Sequence, residues 1–459
     1  MEDTIAAIAT AYGEGGIGII RISGNDAKFI LDQIFVAKHI KSSAAMANRE
    51  LYYGHIIDKN TNQIIDEVLA VYMKKPGTYT TEDVVEIHCH GSSVSLRKTL
   101  SLVLRNGARL AEKGEFTKRA FLNGRLDLTQ AEAVIDLVKA KTDKGFDVAL
   151  SQMEGALSLK IAALRNIIMD LLVNVTVNLD YPDEDIEELT NQQLIKILYE
   201  IGDHIDGLLL TADTGRIIRD GLVVTIIGKP NVGKSSLMNA LLKESRAIVT
   251  EIPGTTRDTI EEVININDIP IKLTDTAGIR ETDDKIEKIG IEKSKESFNR
   301  ADLIILILDG NSPMSEEDYE IIKHIEDKKT IVLINKVDLG QILQRDDIQK
   351  LLPKAHIINT AIKLGLGIEE LEQQIENMVY GGNVKQEDSL LITNVRHKEL
   401  LEKAKESIVD AQRMAITKEA LDFIEVDIKH CWELLGEIIG DTVAEDIIEQ
   451  VFARFCLGK

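Results

Sequence analysis

The spacing of apolar residues changes character along the chain. Over residues 1 to 118, short β-like runs alternate with glycine-rich turns. "GIGIIRISG" and "EVLAVYM" read as strands, and "SSVSLRKTLSLVLRNG" as a helix ending at Gly107. Near Thr129 the pattern shifts to helical spacing, with Ala131, Val134, Ile135 and Val138 recurring on one face. Thr129-Gln130-Ala131-Glu132 has the form of a capping box, which satisfies free N–H groups at a helix start. Pro182, in "DYPDED", stands alone between Pro76 and Pro230 and predicts a break between long helices. Helical periodicity continues to about Gly215. From Gly221 onward "LVVTII", "LIILILD" and "TIVLIN" are continuous apolar runs separated by helical stretches. That alternation predicts a doubly wound parallel sheet, buried on both faces. It ends near Gly382, and the remainder reads as helix.

The expected fold is therefore α/β and multidomain. An N-terminal mixed domain spans 1–118, and a helical domain is supplied by 119–216 and 382–459. A doubly wound domain, 217–381, is inserted into those helices. A length of 459 residues suits several cores rather than one.

Charge narrows the partners. The formal net charge is −22, and the first 120 residues are close to neutral, so the acidity lies in the remainder. Such a surface is a poor non-specific nucleic-acid binder, though a local RNA site or a basic protein partner stays open. The three cysteines, Cys89, Cys431 and Cys456, are too few and too scattered for a disulfide framework. "MEDTIAAIAT" lacks a signal pattern, and "LIILIL" is too short to cross a bilayer. A cytoplasmic protein with no membrane contact is the expectation.

The chemistry is concentrated after Gly221. Gly228-Lys229-Pro230-Asn231-Val232-Gly233-Lys234-Ser235 fits the phosphate-loop pattern, between a β-branched strand and the helix-like "SSLMNALLK". Glycines let backbone N–H groups close around phosphate oxygens, and the helix N-terminus favours negative charge. Lys234 is expected at the β- and γ-phosphates and Ser235 on magnesium. A phosphate loop alone leaves ATP and GTP open. Asn335-Lys336-Val337-Asp338 follows an apolar strand, and the Asp338 carboxylate suits guanine's N1–H and 2-amino group, a donor pair that adenine lacks. Thr360-Ala361 stands where GTPases usually carry Ser-Ala beside the guanine carbonyl. Between these motifs lies "TEIPGTTRD", with Thr256 as the expected switch threonine over magnesium. Asp275-Thr276-Ala277-Gly278 would hold magnesium through water at Asp275 and offer the Gly278 N–H to the γ-phosphate. Small GTPases usually place a water-orienting glutamine next; here the residue is Ile279, which can do no such work.

"NVGKSS", "TEIPGTTRD", "DTAGIRET", "NKVD", "EFTKRAFLNGRLDLTQAEAV" and the ending "RFCLGK" together resemble the MnmE (TrmE) family of tRNA modification GTPases, of the TrmE-Era-EngA type. The resemblance runs essentially end to end. It implies a tetrahydrofolate-binding-like N-terminal domain, a central helical domain and an inserted Ras-like P-loop GTPase domain. It also implies GTP contacts from Asn231, Val232, Gly233, Lys234, Ser235 and Ser236. Further contacts would come from Thr250, Glu251, Ile252, Pro253, Gly254, Thr255 and Thr256, and from the DTAG and NKVD segments and Thr360-Ala361. The family replaces the glutamine with potassium, held here by Asn231, Thr250, Ile252 and Thr255, and with head-to-head pairing of two GTPase domains. Its water-orienting glutamate corresponds to Glu287. Catalysis would thus rest on Glu287, Lys234 and Gly278.

The same resemblance implies a tetrahydrofolate derivative, 5-formyl or methylene, held by Arg21, Glu86, Arg125 and Lys459. It implies a homodimer, a tRNA substrate, and an FAD-dependent partner of the MnmG (GidA) type in a heterotetramer or larger complex. The product would be a carboxymethylaminomethyl or aminomethyl group on C5 of the wobble uridine. Cys456 reads equally as a reactive thiol or a plain terminal cysteine. His88 and His90 share one strand face with Cys89 opposite, but no second ligand cluster accompanies them. A ribosome-assembly GTPase, which would carry a basic appendage, and a folate-dependent transferase with a regulatory GTPase insert are the competing classes.

Overall fold

A computed structural model describes residues 3–11, 13–38, 45–180, 190–244, 262–274, 300–381 and 391–459. The chain divides into two compact units. One is Met1–Val138 with Gln152–Asp170 and Trp432–Lys459; the other is Lys139–Ser151 with Leu171–Cys431.

In the first unit, among the described residues, seven strands form one sheet. They are β1 (Ile5–Ile8), β2 (Gly15–Ser23), β3 (Phe35–Ala37), β4 (Leu51–Asp58), β5 (Gln63–Met73), β6 (Val84–Gly91) and β7 (Arg109–Leu110), in the order β3-β4-β5-β6-β2-β1-β7. Side chains alternate across the sheet. Ile20, Ile22, Val85, Ile87 and Cys89 turn inward against the helices Ala27–Ile34 and Ser93–Arg105. Arg21 and Glu86, one residue out of phase, pair across β2 and β6 on the opposite face.

The short helix Glu115–Leu122 packs Phe116 against Ile5 and Ala7 of β1. Its anchor is Arg119, only 1% exposed. The guanidinium donates to Asp3 Oδ1 at 2.9 Å, Glu82 Oε1 at 3.1 Å and Glu115 Oε1 at 3.1 Å. Residues from the far end of the chain complete this unit. Phe452 stacks with both Phe121 and Phe455, and Leu457 bridges to Lys113. Gly458 has φ +90°, and a Cβ there would lie 2.1 Å from the Ile8 carbonyl. Only glycine permits that approach.

The helix after Gly124 starts two residues earlier than the Thr129 capping box predicts. It spans Leu128–Lys139. Asp127 Oδ1 accepts from Gln130 N at 2.9 Å, while Gln130 Oε1 accepts from Asp127 N at 3.0 Å. Thr129 is fully buried; its hydroxyl donates to Asp127 Oδ1 at 2.7 Å and shares a hydrogen bond with Ser158 Oγ at 2.7 Å, so it braces the Asp127 cap and ties it to a distant helix.

The second unit pairs the helices Asn191–Leu209 and Val395–Thr417. Gln412 Nε2 donates to the Leu198 carbonyl at 2.9 Å, and Asn191 Nδ2 to the Ala415 carbonyl at 2.9 Å. Thr190 and Gln193 form a reciprocal capping box. The break expected at Pro182 lies outside the described residues. The helix Ala212–Asp220 continues past Gly215, whose missing side chain lets the Ile392 carbonyl approach to 2.2 Å of where a Cβ would stand.

The second sheet comprises β8 (Leu222–Ile227), β9 (Glu262–Ile266), β10 (Ile269–Thr274), β11 (Leu303–Asp309), β12 (Thr330–Asn335) and β13 (His356–Asn359), in the order β13-β12-β11-β8-β10-β9. All neighbours are parallel except the edge pair β9–β10. Alternate residues of β11 belong to two cores: Leu303, Ile305 and Ile307 to one face, Ile304, Leu306 and Leu308 to the other. Burial on both faces explains the unbroken apolar runs. Successive connections leave β8 in opposite directions, which opens a crevice at the carboxyl ends of β8 and β11.

Candidate functional site

Three of the motif segments converge at those carboxyl ends: the phosphate loop, Asn335-Lys336-Val337-Asp338 and Thr360-Ala361. Gly228 follows β8 with φ +145°, and a Cβ there would meet the Ile307 carbonyl at 2.4 Å. Asn231 at φ +64° and Gly233 at φ +117° turn the loop in the left-handed region, so that successive N–H groups can face one concavity. The helix Lys234–Glu244 then begins, adding its positive end.

Asn335, at the end of β12, is the hub. Its Nδ2 donates to the Val232 carbonyl of the loop at 2.7 Å. Its Oδ1 accepts from Ile362 N at 3.1 Å and Thr360 Oγ1 at 3.3 Å. One buried amide thus joins the phosphate loop to the Thr360-Ala361 segment after β13. Lys336, at φ +65°, donates to Asp309 Oδ2 at 2.6 Å. Burial alone would raise the Asp309 carboxyl. The hydrogen bonds from Lys336 and the Asn311 N–H, with the charges of Lys336 and Lys229, hold it below its ordinary value. Asp338 is exposed at the mouth of the crevice.

Lys234 Nζ donates to the carbonyls of Gly228 at 2.5 Å and Lys229 at 2.8 Å. Burial lowers its pKa, with Glu317 opposing. Ser235 is exposed and Ser236 half-buried in the first turn of the helix. Ser235 is the residue here that could hold magnesium, and Asn231 the one that could hold potassium. Thr250, Glu251, Ile252, Pro253, Gly254, Thr255, Thr256, Asp275, Thr276, Ala277, Gly278 and Glu287 lie outside the described residues.

A second constellation belongs to the first unit. Arg21 Nε meets Glu86 Oε1 at 2.9 Å, and its guanidinium lies 5.7 Å from the Phe116 ring centroid. The Arg125 guanidinium stacks 4.8 Å from the Tyr79 centroid and donates from Nη1 to the Tyr79 carbonyl at 3.1 Å. Tyr79 Oη shares a hydrogen bond with Thr117 Oγ1 at 2.9 Å. Burial pushes the Tyr79 phenol up, while the Thr117 bond and the charges of Arg125 and Arg21 oppose it. Phe116 N donates to the carbonyl of Lys459 at 3.2 Å, and Gly114 N to that of Cys456 at 3.4 Å. Arg21, Glu86, Arg125 and Lys459 are thereby gathered around two aromatic rings. A carboxylate acceptor, three cations and aromatic walls are a donor set that fits a flat heterocycle carrying carboxylates.

Sequence reasoning missed Tyr79 and Phe116. The available signal was an aromatic in the Thr-rich turn "GTYTTED" and another just after Gly114. Cys456 is exposed, and Cys89 is buried beside Thr99 with its thiol pushed up to about 11, burial being the main cause. His88 Nε2 lies 3.6 Å from Glu86 Oε2, and His90 Nδ1 is 2.7 Å from Asp66 Oδ1.

Comparison with known proteins agrees with this organisation. A family model described as the MnmE helical domain matches residues 128–456, and one described as the GTP-binding protein TrmE N-terminus matches residues 4–125. The chain is 56% identical to the tRNA modification GTPase MnmE of Alkaliphilus oremlandii and 54% identical to that of Clostridioides difficile, over 100% of each chain. It also has a likeness to the solved G domain of the FeoB iron transporter of T. maritima. The two are 31% identical over 34% of this chain and 97% of that one, with a TM-score of 0.26. End-to-end identity at this level, together with two matching family models, identifies the chain as a member of the MnmE family of tRNA modification GTPases.

Proposed function

We propose that the chain hydrolyses GTP to drive wobble-uridine modification in tRNA. With an FAD-dependent partner of the MnmG type, it would install a carboxymethylaminomethyl or aminomethyl group at C5. The observation that carries this reading is the Asn335 hub, which couples a phosphate loop to a guanine-type recognition segment through one buried side chain. A site braced in this way is pre-organised, so less binding energy is lost in ordering it.

Asp338 accepts from the guanine edge, and Lys234 leaves the Gly228 and Lys229 carbonyls to meet the β- and γ-phosphates. Ser235 and Thr256 would hold magnesium, which offsets charge on the phosphate oxygens. Asn231, Thr250, Ile252 and Thr255 would hold potassium, which supplies the positive charge that an arginine finger gives other GTPases. Glu287 orients water and Gly278 donates to the γ-phosphate. Arg21, Glu86, Arg125 and Lys459 bind a tetrahydrofolate derivative that supplies the one-carbon unit when bound. The working form is a cytoplasmic homodimer, and its domains run 1–118, 119–216 with 382–459, and 217–381. No helix among the described residues is long and apolar enough to cross a membrane.

Deleting the gene and analysing tRNA nucleosides tests the proposal. Loss of the C5 substituent at the wobble uridine is the expected result, and unchanged nucleosides would overturn it.

A further inference from the structure

The phosphate loop has a second anchor besides Asn335. Lys229, the residue after Gly228, reaches away from the loop to the helix Glu316–Ile325. Its Nζ lies 2.7 Å from Asp318 Oδ2 and 2.9 Å from Ser315 Oγ. Asp318 is almost fully buried, and the same oxygen accepts from Ser315 N at 2.9 Å and Ser315 Oγ at 3.0 Å as the cap of that helix. The cation therefore inserts into a capping box and makes it a three-way junction. Its charge also helps, as the smallest of the causes, to hold the Asp309 carboxyl below its ordinary value.

The position of Lys229 in the loop gives this junction a consequence. The main-chain carbonyl of Lys229 is one of the two acceptors of Lys234 Nζ. Its side chain fixes the loop at one end, as Asn335 fixes the Val232 carbonyl at the other. The left-handed residues Asn231 and Gly233 lie between the Lys229 anchor and Lys234. Asn231, the non-glycine of the two, is in a sparsely populated conformation, which persists when its surroundings hold it.

We infer that Lys229, tied to Ser315 and Asp318, is a positioning residue that holds the phosphate loop in its nucleotide-ready form. It touches no phosphate itself. It rests on the GTP-binding reading of the loop, and it makes the helix Glu316–Ile325 part of the nucleotide site at one remove. Removing the tether should cost binding of any guanine nucleotide and leave the chemical step alone, because the loop reaches the same bound form at greater expense.

The test uses the full-length protein, a fluorescent GDP, a non-hydrolysable GTP analogue, and steady-state GTP hydrolysis. Wild type is titrated first. Failure to bind guanine nucleotide would overturn the GTP reading, and the inference with it. If wild type binds, K229M should weaken both nucleotides about tenfold, raise KM in step and leave kcat within about twofold. K229R should restore most of the affinity. D318N, which also disturbs the helix cap, should weaken binding at least as much as K229M, and the double variant should be no worse than D318N, since both lose the same tether. Unchanged affinity in K229M, a fall in kcat at constant KM, or additive losses in the double variant would each overturn the inference. So would a drop in nucleotide-free melting temperature that accounts for the whole binding loss.

Discussion

Replacing Arg119 by methionine asks how much of the fold around Arg21, Glu86 and Tyr79, the proposed folate site, rests on one buried cation. The guanidinium is 1% exposed and bridges Asp3, Glu82 and Glu115, which come from the N-terminus, the turn before β6 and its own helix. Methionine fills similar volume but strands the carboxylates. Glu115 keeps Arg109 and the Glu112 N–H. Glu82 keeps the Ser23 hydroxyl. Breaking a buried pair by removing one partner costs about 3–5 kcal/mol. For a unit of this size, a loss of that magnitude lowers the melting temperature on the order of 10 °C.

The pH dependence supplies a second readout. For Asp3 and Glu115, burial raises the carboxyl pKa, but the hydrogen bonds and charges of Arg109 and Arg119 outweigh it, so both sit below their ordinary values. A depressed carboxylate stabilises the fold above its unfolded pKa and loses that contribution as pH falls through its folded one. Wild type should therefore lose stability steeply below about pH 4.5, and R119M should start lower and fall less. Calorimetry of the full-length protein between pH 7 and pH 3 is the assay. A variant melting within about 2 °C of wild type at pH 7, or one with the same acid slope, would refute the reasoning. Because the same helix carries Phe116 and Thr117, R119M should also weaken folate binding.

Three further outcomes follow from the sites. D338N should reduce GTP affinity by on the order of a hundredfold and gain xanthine nucleotide binding, read by competitive titration; unchanged selectivity would place guanine recognition elsewhere. GTP hydrolysis should run faster in potassium than in sodium at matched ionic strength and rise per enzyme with protein concentration, whereas equal rates would mean Asn231 and the "TEIPGTT" loop hold no potassium. Y79L should weaken binding of a carboxylate-bearing tetrahydrofolate about fivefold by releasing Arg125, with Y79F close to wild type; equal affinity of Y79L and wild type would remove Tyr79 from the site.

What was legible in the chain was contiguous. The phosphate loop and Asn335-Lys336-Val337-Asp338 announce themselves because each is a short run directly after an apolar strand, and the strands read easily because burial on both faces leaves no polar interruption. What was hidden depends on distant partners. Nothing near Val232 reveals that its carbonyl is capped by Asn335, about a hundred positions on. Tyr79 and Phe116 have no periodicity to mark them, since one lies in a turn and the other at a helix start. The stretch "DLTQAE" contains two overlapping capping signals, Asp127 with Gln130 and Thr129 with Glu132. The structure uses the first, and the Thr129 hydroxyl is engaged by Asp127 and Ser158.

The lodging of Gly458 against the Ile8 carbonyl bears on how the molecule is made. β1 leaves the ribosome about 450 positions ahead of Gly458, so its last carbonyl waits through that length of synthesis for its cover. Phe121 waits likewise for Phe452 and Phe455. Contacts of such long sequence separation form slowly. The nascent chain thus passes through a stage in which its second unit can be complete while its first still offers apolar surface to a chaperone.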